Sequence, residues 1–547
     1  MYFFSQQPRK YLLPLLITLI LTIYQLVRII AFINVYGGLE HDSGWFLGVS
    51  RSLAEQGAYI SMVSTLNDSA AVGGIDIDQK FNIQAPDGRI WFFTGNGTGP
   101  ASIVPNALML KIFGTSFWAL RAGPLIFYTF FLLVTTYILY QLAGLGAVTL
   151  FHIFLFCYPR LSIFLSYEAE GEVAAMLYIV LAYLAFALAL TQQDRRLRYF
   201  FGAGLIAGLA FNTKLLALLS VSGIVVWAGW LWLSRQKKVS FREVIVLGMG
   251  MALPQAVWEA IQLVILVRLT NFELYLRHAQ QRLRFVLDDG SGIGLQTHSG
   301  LEFMWRKFFI LEEVAQPKHW VTMLIFVSLV LGGVFLIGLW QRSESYKQDL
   351  LAPIWLGWLA NTAWFVSLAK TGWPRHFWFG LILAVMLLGV IPLILIRSWG
   401  TTAGQPGKKI GRSASTLIGL LLLLLMSWGF GSQPYVWGFL LRDEIVPYWL
   451  EKRFDYIDLS GLPWILVPRA DQAAVVDYIN QMPPEANVYY PTAEFGHKAA
   501  EIPVLTGRIN YPIKRRTYPG VKPHPADILL VPPSVLSIWR YAPVTRQ

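Results

Sequence analysis

The sequence predicts an all-α polytopic membrane protein of about eleven transmembrane helices, with amphipathic helices on the outer side and a small α/β extracytoplasmic domain at its C-terminal end. Three observations predict it. Of 547 residues, 55% are hydrophobic and only 14% charged, with a mean hydropathy of +0.51. Soluble proteins carry about 25% charged residues, so an ordinary cytosolic enzyme and a long disordered tail are excluded. Apolar runs long enough to cross a bilayer recur along most of the chain. The Lys and Arg residues behind the net charge of +12 fall in short groups between those runs. Nucleic-acid binding needs a clustered basic face, whereas such interspersed groups set the orientation of a membrane protein.

A helical crossing takes about 20 apolar residues. The first run, 11–33, follows Arg9 and Lys10 and has no small-residue cleavage site after it. It reads as an uncleaved first span with a cytoplasmic N-terminus. Further runs lie at 119–141, 144–161, 172–191, 198–213, 216–233, 243–267, 320–340, 349–369, 377–396 and 415–437. This alternation puts Arg195, Arg196, Arg198, Arg235, Lys237, Lys238, Arg242, Arg342, Lys347, Arg397, Lys408, Lys409 and Arg412 on the inner side, as the positive-inside rule expects. The segment 269–319 breaks the pattern with Arg277, Arg282, Arg284, Arg306 and Lys307, cations that could serve a ligand. An odd number of spans leaves the tail outside.

Three regions too long for turns fall on the outer side: 34–118, 269–319 and 440–547. The division is therefore a transmembrane unit, 1–439, and an extracytoplasmic α/β tail, 440–547. In the first region Trp45, Phe46, Val49 and Leu53 recur at helical spacing opposite Ser50, Arg51, Glu55 and Gln56, a pattern suited to lying on a membrane surface. In the tail, Asp471 caps a helix through Gln481, Pro483-Pro484 stops it, and 487–490 and 528–531 read as strands. A channel or carrier invests its residues in its spans. This chain invests them in one aqueous face, which points to work at the outer interface.

Few side chains stand out as chemistry. Asp42 ends the first span where a carboxylate meets lipid and water; Asp42 and Ser43 are equally good helix caps. Ser166-Tyr-Glu168-Ala-Glu170-Gly-Glu172 packs three carboxylates into five residues between apolar runs. They are either a solvated acidic turn or an oxygen-ligand set for a divalent metal ion. Lys214, and Arg375 with His376 in a short late loop, are cations at the outer boundary. Such groups hold a phosphate, or snorkel to headgroups. Glu259 lies inside an apolar run, where an ionised group needs a cavity or a cation. Cys157, the single cysteine, excludes a disulfide framework and a CxxC zinc site. The histidines lack zinc-binding spacing. The Gly290–Gly294 stretch has no strand before it and cradles no nucleotide. The sequons at Asn67 and Asn96 are frequent by chance.

In this order the residues resemble the GT-C glycosyltransferases. The branch concerned depends on lipid-linked sugars: protein O-mannosyltransferases, the lipid A aminoarabinose transferase and the transferases of lipopolysaccharide cores. Four stretches carry the resemblance: Asp42-Ser-Gly-Trp-Phe46 with Ala54-Glu-Gln-Gly57; Thr98-Gly-Pro-Ala101 with Leu110-Lys-Ile-Phe-Gly114 and Trp118-Ala-Leu-Arg121; Ser166 to Glu172; and Gly208-Leu-Ala-Phe-Asn-Thr-Lys214. It covers the first 235 residues or so, and beyond them the topology, the Arg375-His376 loop and the outer tail. Ser43 stands where the family usually has a second acidic residue, and Glu170 where an Arg is common.

The resemblance implies an inverting glycosyltransferase of the cell envelope. Its donor is a sugar on a polyprenyl phosphate, and its acceptor a lipid, glycan or protein. Asp42 is then the general base, Glu168, Glu170 and Glu172 orient or hold a metal, and Lys214, Arg375 and His376 bind the donor phosphate. A phosphate leaving group needs stabilising cations but no strong acid. One carboxylate base implies direct displacement, since retention would take a second carboxylate at about 5 Å. Membrane lipids are partners and nucleic acid is not. Three other readings compete. A transporter or flippase for lipid-linked glycans would show paired internal halves, and none is visible. A non-catalytic envelope-assembly partner would use the tail as a binding module. An oligosaccharide polymerase or ligase would lack the early Asp42 motif.

Overall fold

The computed structural model describes residues 8–37, 41–64, 76–77, 83–84, 89–92, 98–157, 171–192, 194–234, 238–269, 271–284, 307, 319–340, 346–369, 374–397, 417, 419–421, 424, 467–484, 486, 488–491, 502–508, 510–513 and 528–529. The first ten apolar runs are helices: Pro8–Val35, Phe117–Ala143, Leu145–Cys157, Glu172–Thr191, Arg196–Thr213, Ala217–Leu233, Phe241–Leu269, His319–Trp340, Tyr346–Ser367 and Trp378–Arg397. The run 415–437 lies largely outside the described residues. By length and composition, five described helices can cross a membrane: Phe117–Ala143, Glu172–Thr191, Phe241–Leu269, Tyr346–Ser367 and Trp378–Ile396. The protein is an integral membrane protein built on a helical bundle.

The bundle core is aromatic and aliphatic, with Tyr128, Phe131, Phe151, Tyr183, Phe186 and Trp358 buried. Where helices touch, glycine lets the backbones meet. A Cβ on Gly204 would sit 2.1 Å from the Leu247 carbonyl oxygen, and one on Gly208 would sit 2.4 Å from that of Met251. Helices 196–213 and 241–269 therefore lie against each other along a small-residue seam, as membrane helices do without a hydrophobic driving force between them. Buried polar groups bond across the bundle. The Tyr183 hydroxyl donates to the Ser220 carbonyl at 2.8 Å, and Asn361 Nδ2 donates to Ser220 Oγ at 2.9 Å.

At one end the helices meet a sheet that the sequence disclosed only in part. Strands β1 (Tyr36–Gly37), β2 (Ile60–Ser64), β3 (Asp76–Ile77), β4 (Ile83–Gln84) and β5 (Arg89–Trp91) come from the first long region. The tail supplies β6 (Val467–Pro468), β7 (Val488–Pro491), β8 (Asn510–Ile513) and β9 (Ile528–Leu529). Seven of them form one sheet in the order β3-β4-β5-β2-β8-β7-β9, and β1 pairs with β6 in a second. Two strand pairings join the two regions among the described residues: β2 runs parallel to β8, and β1 antiparallel to β6. The expected tail helix spans Arg469–Gln481, so Asp471 lies within its first turn rather than ahead of it.

Two sequence expectations meet a different environment. The amphipathic helix is present as His41–Gln56, but its apolar face lies on protein. Trp45, Phe46 and Val49 pack with Tyr59, Phe92, Trp258 and Leu274, and Ser50 on the polar side is buried as well. An apolar stripe is satisfied equally by lipid or by a neighbouring element, and here helix 241–269 and the sheet cover it. The cations of 269–319 are the second case. Arg282 meets Glu259, Arg277 meets Glu273, and the Lys307 ammonium donates to the Ala369 carbonyl at 2.9 Å. These contacts are with protein groups. Arg284's side chain and Arg306 lie outside what is described.

Candidate functional site

Three of the chain's conspicuous motifs, far apart in sequence, meet at one junction. The segment Thr98-Gly99 precedes helix Pro100–Phe113, whose Pro100 occupies a first-turn position where no backbone N–H is required. Gly99 N–H donates to the Thr213 carbonyl at 2.8 Å, and Thr98 forms an antiparallel bridge with Lys214. A Cβ on Gly99 would fall 1.6 Å from the Asn212 carbonyl oxygen, so no other residue fits there. The third segment arrives through Gly171, at φ +89°, where a Cβ would lie 3.0 Å from Thr98 Cγ2 and 3.2 Å from Thr213 Cγ2. A left-handed backbone and close quarters both select glycine.

This convergence brings Glu172 and Lys214 together, with Lys214 Nζ 2.7 Å from Glu172 Oε1. Glu172 is 4% exposed and Lys214 7%. Glu172 is therefore no solvated turn residue. It opens helix 172–191, and Lys214 closes helix 196–213. A carboxylate at the positive end of one helix and an ammonium at the negative end of another are each favoured by the local dipole. The pair is held by both helices as well as by its own attraction. Arg121 is wholly buried in helix 117–143 with its guanidinium 4.4 Å over the Phe117 ring. Asn106 and Gly123 are in direct opposition, a Cβ on Gly123 lying 1.8 Å from Asn106 Oδ1.

A polar chain leads away from the junction. Asn212 Nδ2 donates to Gln255 Oε1 at 3.0 Å, and Gln255 Nε2 donates to Glu259 Oε1 at 2.8 Å. Glu259 also accepts both guanidinium nitrogens of Arg282 at 2.7 Å and the Tyr275 hydroxyl at 3.2 Å. The expected cation for the carboxylate of the apolar run is thus Arg282, on helix Phe272–Arg284. Burial, with the adjacent Glu259 carboxylate behind it, raises the Tyr275 hydroxyl above its ordinary range. Sequence reasoning flagged Glu259, and Arg282 as one of the cations of 269–319, but not their pairing, and it missed Gln255 and Tyr275. Gln255 stands four residues before Glu259 on the same helix, a spacing that could have disclosed it, whereas no short-range spacing connects Glu259 with residues of helix 272–284.

The remaining site candidates are placed as follows. Asp42 is the second residue of helix 41–56, in its first turn, where a carboxylate is favoured. Ser43 beside it is fully buried. Glu168 and Glu170 lie outside the described residues. Arg375 and His376 fall in a single 3-10 turn, Pro374–Phe377, just before helix 378–397. His376 is buried with its ring 6.5 Å from that of Trp364. Among the described residues no group of three or more His, Cys, Asp or Glu side chains is arranged to hold a metal ion. Burial depresses the Lys307 ammonium to about 8.

With this geometry in view, comparisons with known proteins show the fold. No family model and no curated protein matches the sequence. Among solved structures, the chain is similar to ArnT from Cupriavidus metallidurans bound to undecaprenyl phosphate. Identity is 14%, the match covers 91% of this chain and 85% of that one, and the TM-score is 0.51. The apo oligosaccharyltransferase of Archaeoglobus fulgidus matches at 11% identity over 95% of this chain and 67% of that one, with a TM-score of 0.49. The ArnT match is a likeness of fold: the chain shares the overall membrane architecture of that structure.

Proposed function

We propose that the protein is an inverting membrane glycosyltransferase that moves a sugar from a polyprenyl-phosphate carrier to a lipid, glycan or protein acceptor on the outer face of the membrane. The observation that carries this reading is the junction of Thr98-Gly99, Gly171-Glu172 and Thr213-Lys214 within a GT-C fold. The ArnT structure of that fold holds undecaprenyl phosphate. In this reading 1–439 is the catalytic unit and 440–547 an extracytoplasmic tail, with the N-terminus cytoplasmic. Labelling of Ser69→Cys and Ser534→Cys from the outer side of intact cells is the expected outcome; labelling only after the inner side is opened defeats the orientation.

Asp42 acts as general base. It takes the proton of an acceptor hydroxyl as the oxygen attacks the anomeric carbon. The carbon–oxygen bond to the carrier phosphate breaks on the opposite face, and the phosphate leaves with the bonding pair. Lys214, Arg375 and His376 supply positive charge to the departing phosphate. Glu172 keeps Lys214 oriented, and Glu168 and Glu170 join it in orienting that region or in binding a divalent ion. Purified protein incubated with a panel of polyprenyl-phosphate sugars should consume one of them. Asp42→Asn should fold, since losing one first-turn charge costs a helix only about 0.3–1 kcal/mol, yet slow turnover by roughly 10²-fold or more. Full turnover in a folded Asp42→Asn protein would sink the assignment.

A further inference from the structure

The helix that carries Asp42 is held at three places by residues more than four hundred positions away. On its N-terminal side, β1 pairs with β6: Tyr36 stands opposite Pro468 and Gly37 opposite Val467. On its C-terminal side, β2 pairs with β8 through Val63 and Asn510. Between them, Arg51 reaches from the helix to the tail. Its Nη1 donates to the Val504 carbonyl, 453 residues away, while its Nε donates to Glu55 at 2.7 Å.

The receiving end is built for a guanidinium. Ile502–Thr506 is a single helical turn closed by Gly507, whose N–H donates to the Pro503 carbonyl at 2.9 Å. Gly507 adopts φ +74°, and a Cβ there would stand 2.5 Å from Arg51 Nη2. The glycine thus closes the turn and leaves room for the arginine. Val504 is fully buried, so the carbonyl that accepts Arg51 is fixed in place. Arg508 then ties the turn to the end of helix 469–481 by donating to the Met482 and Pro483 carbonyls, each at 2.6 Å. Two arginines in series, each reading carbonyls at the end of a helix, connect the Asp42 helix to the body of the tail.

From this geometry we infer that the tail is a positioning frame for the Asp42 helix and that Arg51 is its positioning residue. The inference rests on the proposed general-base role of Asp42 in naming the consequence, but not in naming the contact. A helix fixed at both flanking strands has little freedom except roll and slide. The Arg51–Val504 bond limits both. Loss of that bond should lower the rate of the chemical step while leaving donor recognition alone, because geometry rather than binding is disturbed.

Arg51→Ala should therefore reduce kcat by about tenfold or more with KM for the lipid-linked sugar changed by less than about threefold. Arg51→Lys, which keeps a donor but not the fork, should recover part of it. Gly507→Ala should reproduce the Arg51→Ala loss, since it displaces the same guanidinium. A second readout is independent of turnover: in a Cys157→Ser background, the thiol-labelling rate of Asp42→Cys should change by about threefold or more when Arg51→Ala is added. Unchanged kcat per folded molecule together with an unchanged labelling rate would overturn the inference. If instead Asp42→Asn proves fully active while Arg51→Ala still alters labelling, the catalytic reading fails and the positioning contact stands.

Discussion

Two ion pairs of equal length serve different ends in this molecule. Lys214 meets Glu172 at 2.7 Å with side-chain exposures of 9% and 5%, and Arg282 meets Glu259 at 2.7 Å with exposures of 20% and 28%. The second pair is bidentate, and its carboxylate also accepts from Gln255 and Tyr275, so four donors saturate it. The first pair lies where three chain segments close on one another around glycines, and its two members terminate helices. The difference separates a strut from a pair that, in the proposed function, stands beside the donor phosphate. A saturated carboxylate fixes helix 272–284 to helix 241–269. A carboxylate and an ammonium at opposed helix ends form a charged site whose balance a phosphate could shift.

The largest effect should come from the glycines that build the first pair. Gly99→Ala drives a methyl into the Asn212 carbonyl and should leave little folded protein by size-exclusion chromatography in detergent. Gly114→Ala is the control. Its φ/ψ of +75°/−166° leaves nothing within 4 Å of a Cβ, so backbone strain of about 1–3 kcal/mol and a recoverable protein are expected. Equal loss in both would mean that close approach at Gly99 is not what matters.

Next comes the pair itself. Lys214→Met leaves Glu172 buried without its cation and should cost about 3–5 kcal/mol in unfolding experiments, with donor turnover lost. The exchange Glu172→Lys with Lys214→Glu restores opposite charges but sets each of them at the unfavourable end of its helix dipole. It should remain about 1–2 kcal/mol below the parent. Full recovery would show that the helix ends contribute nothing. By contrast Arg282→Ala, at a more exposed and better-hydrated pair, should cost about 1–3 kcal/mol and change turnover by less than about threefold. A hundredfold loss of turnover there would erase the distinction between the two pairs.

The smallest effect concerns Lys307. Its ammonium is depressed by burial to about 8 from an ordinary 10.5, so between those values the unfolded chain binds more protons than the folded one. Stability therefore rises with pH across that window. The thermal inactivation temperature should climb by about 1–3 °C relative to Lys307→Met between pH 8 and 10.5. Parallel curves for the two proteins would show that the lysine titrates as an ordinary one.

How much of this was legible beforehand follows from the range of each signal. Ten apolar runs became helices because the requirement for about 20 apolar residues is local and survives any packing. The stripe of Trp45, Phe46, Val49 and Leu53 disclosed its helix for the same reason. It could not say what covers it, since Trp258 and Leu274 are remote in sequence. The first-region strands escaped notice because β3 and β4 are two residues long, and β2 takes one of its two partners, β8, from the far end of the chain. The motif that includes Glu172 and the one ending in Lys214 were each visible, and their order suggested a family. Their contact was not, because it depends on Gly99 and Gly171 admitting neighbouring backbones. Arg51 showed only its spacing to Glu55, which satisfies a helix surface by itself and conceals the bond to Val504.

The length of that bond has a consequence for biosynthesis. A ribosome exposes the Asp42 helix long before residue 504 exists, and a chain separation of 453 positions must be bridged before Arg51 meets its acceptor. Contacts of such separation form after local ones. A nascent chain would have its helices in the bilayer while β1 still lacked β6 and β2 had β5 but not β8. The proposed catalyst would stay silent throughout its own insertion, and its competence would be the final quality check on the translated chain.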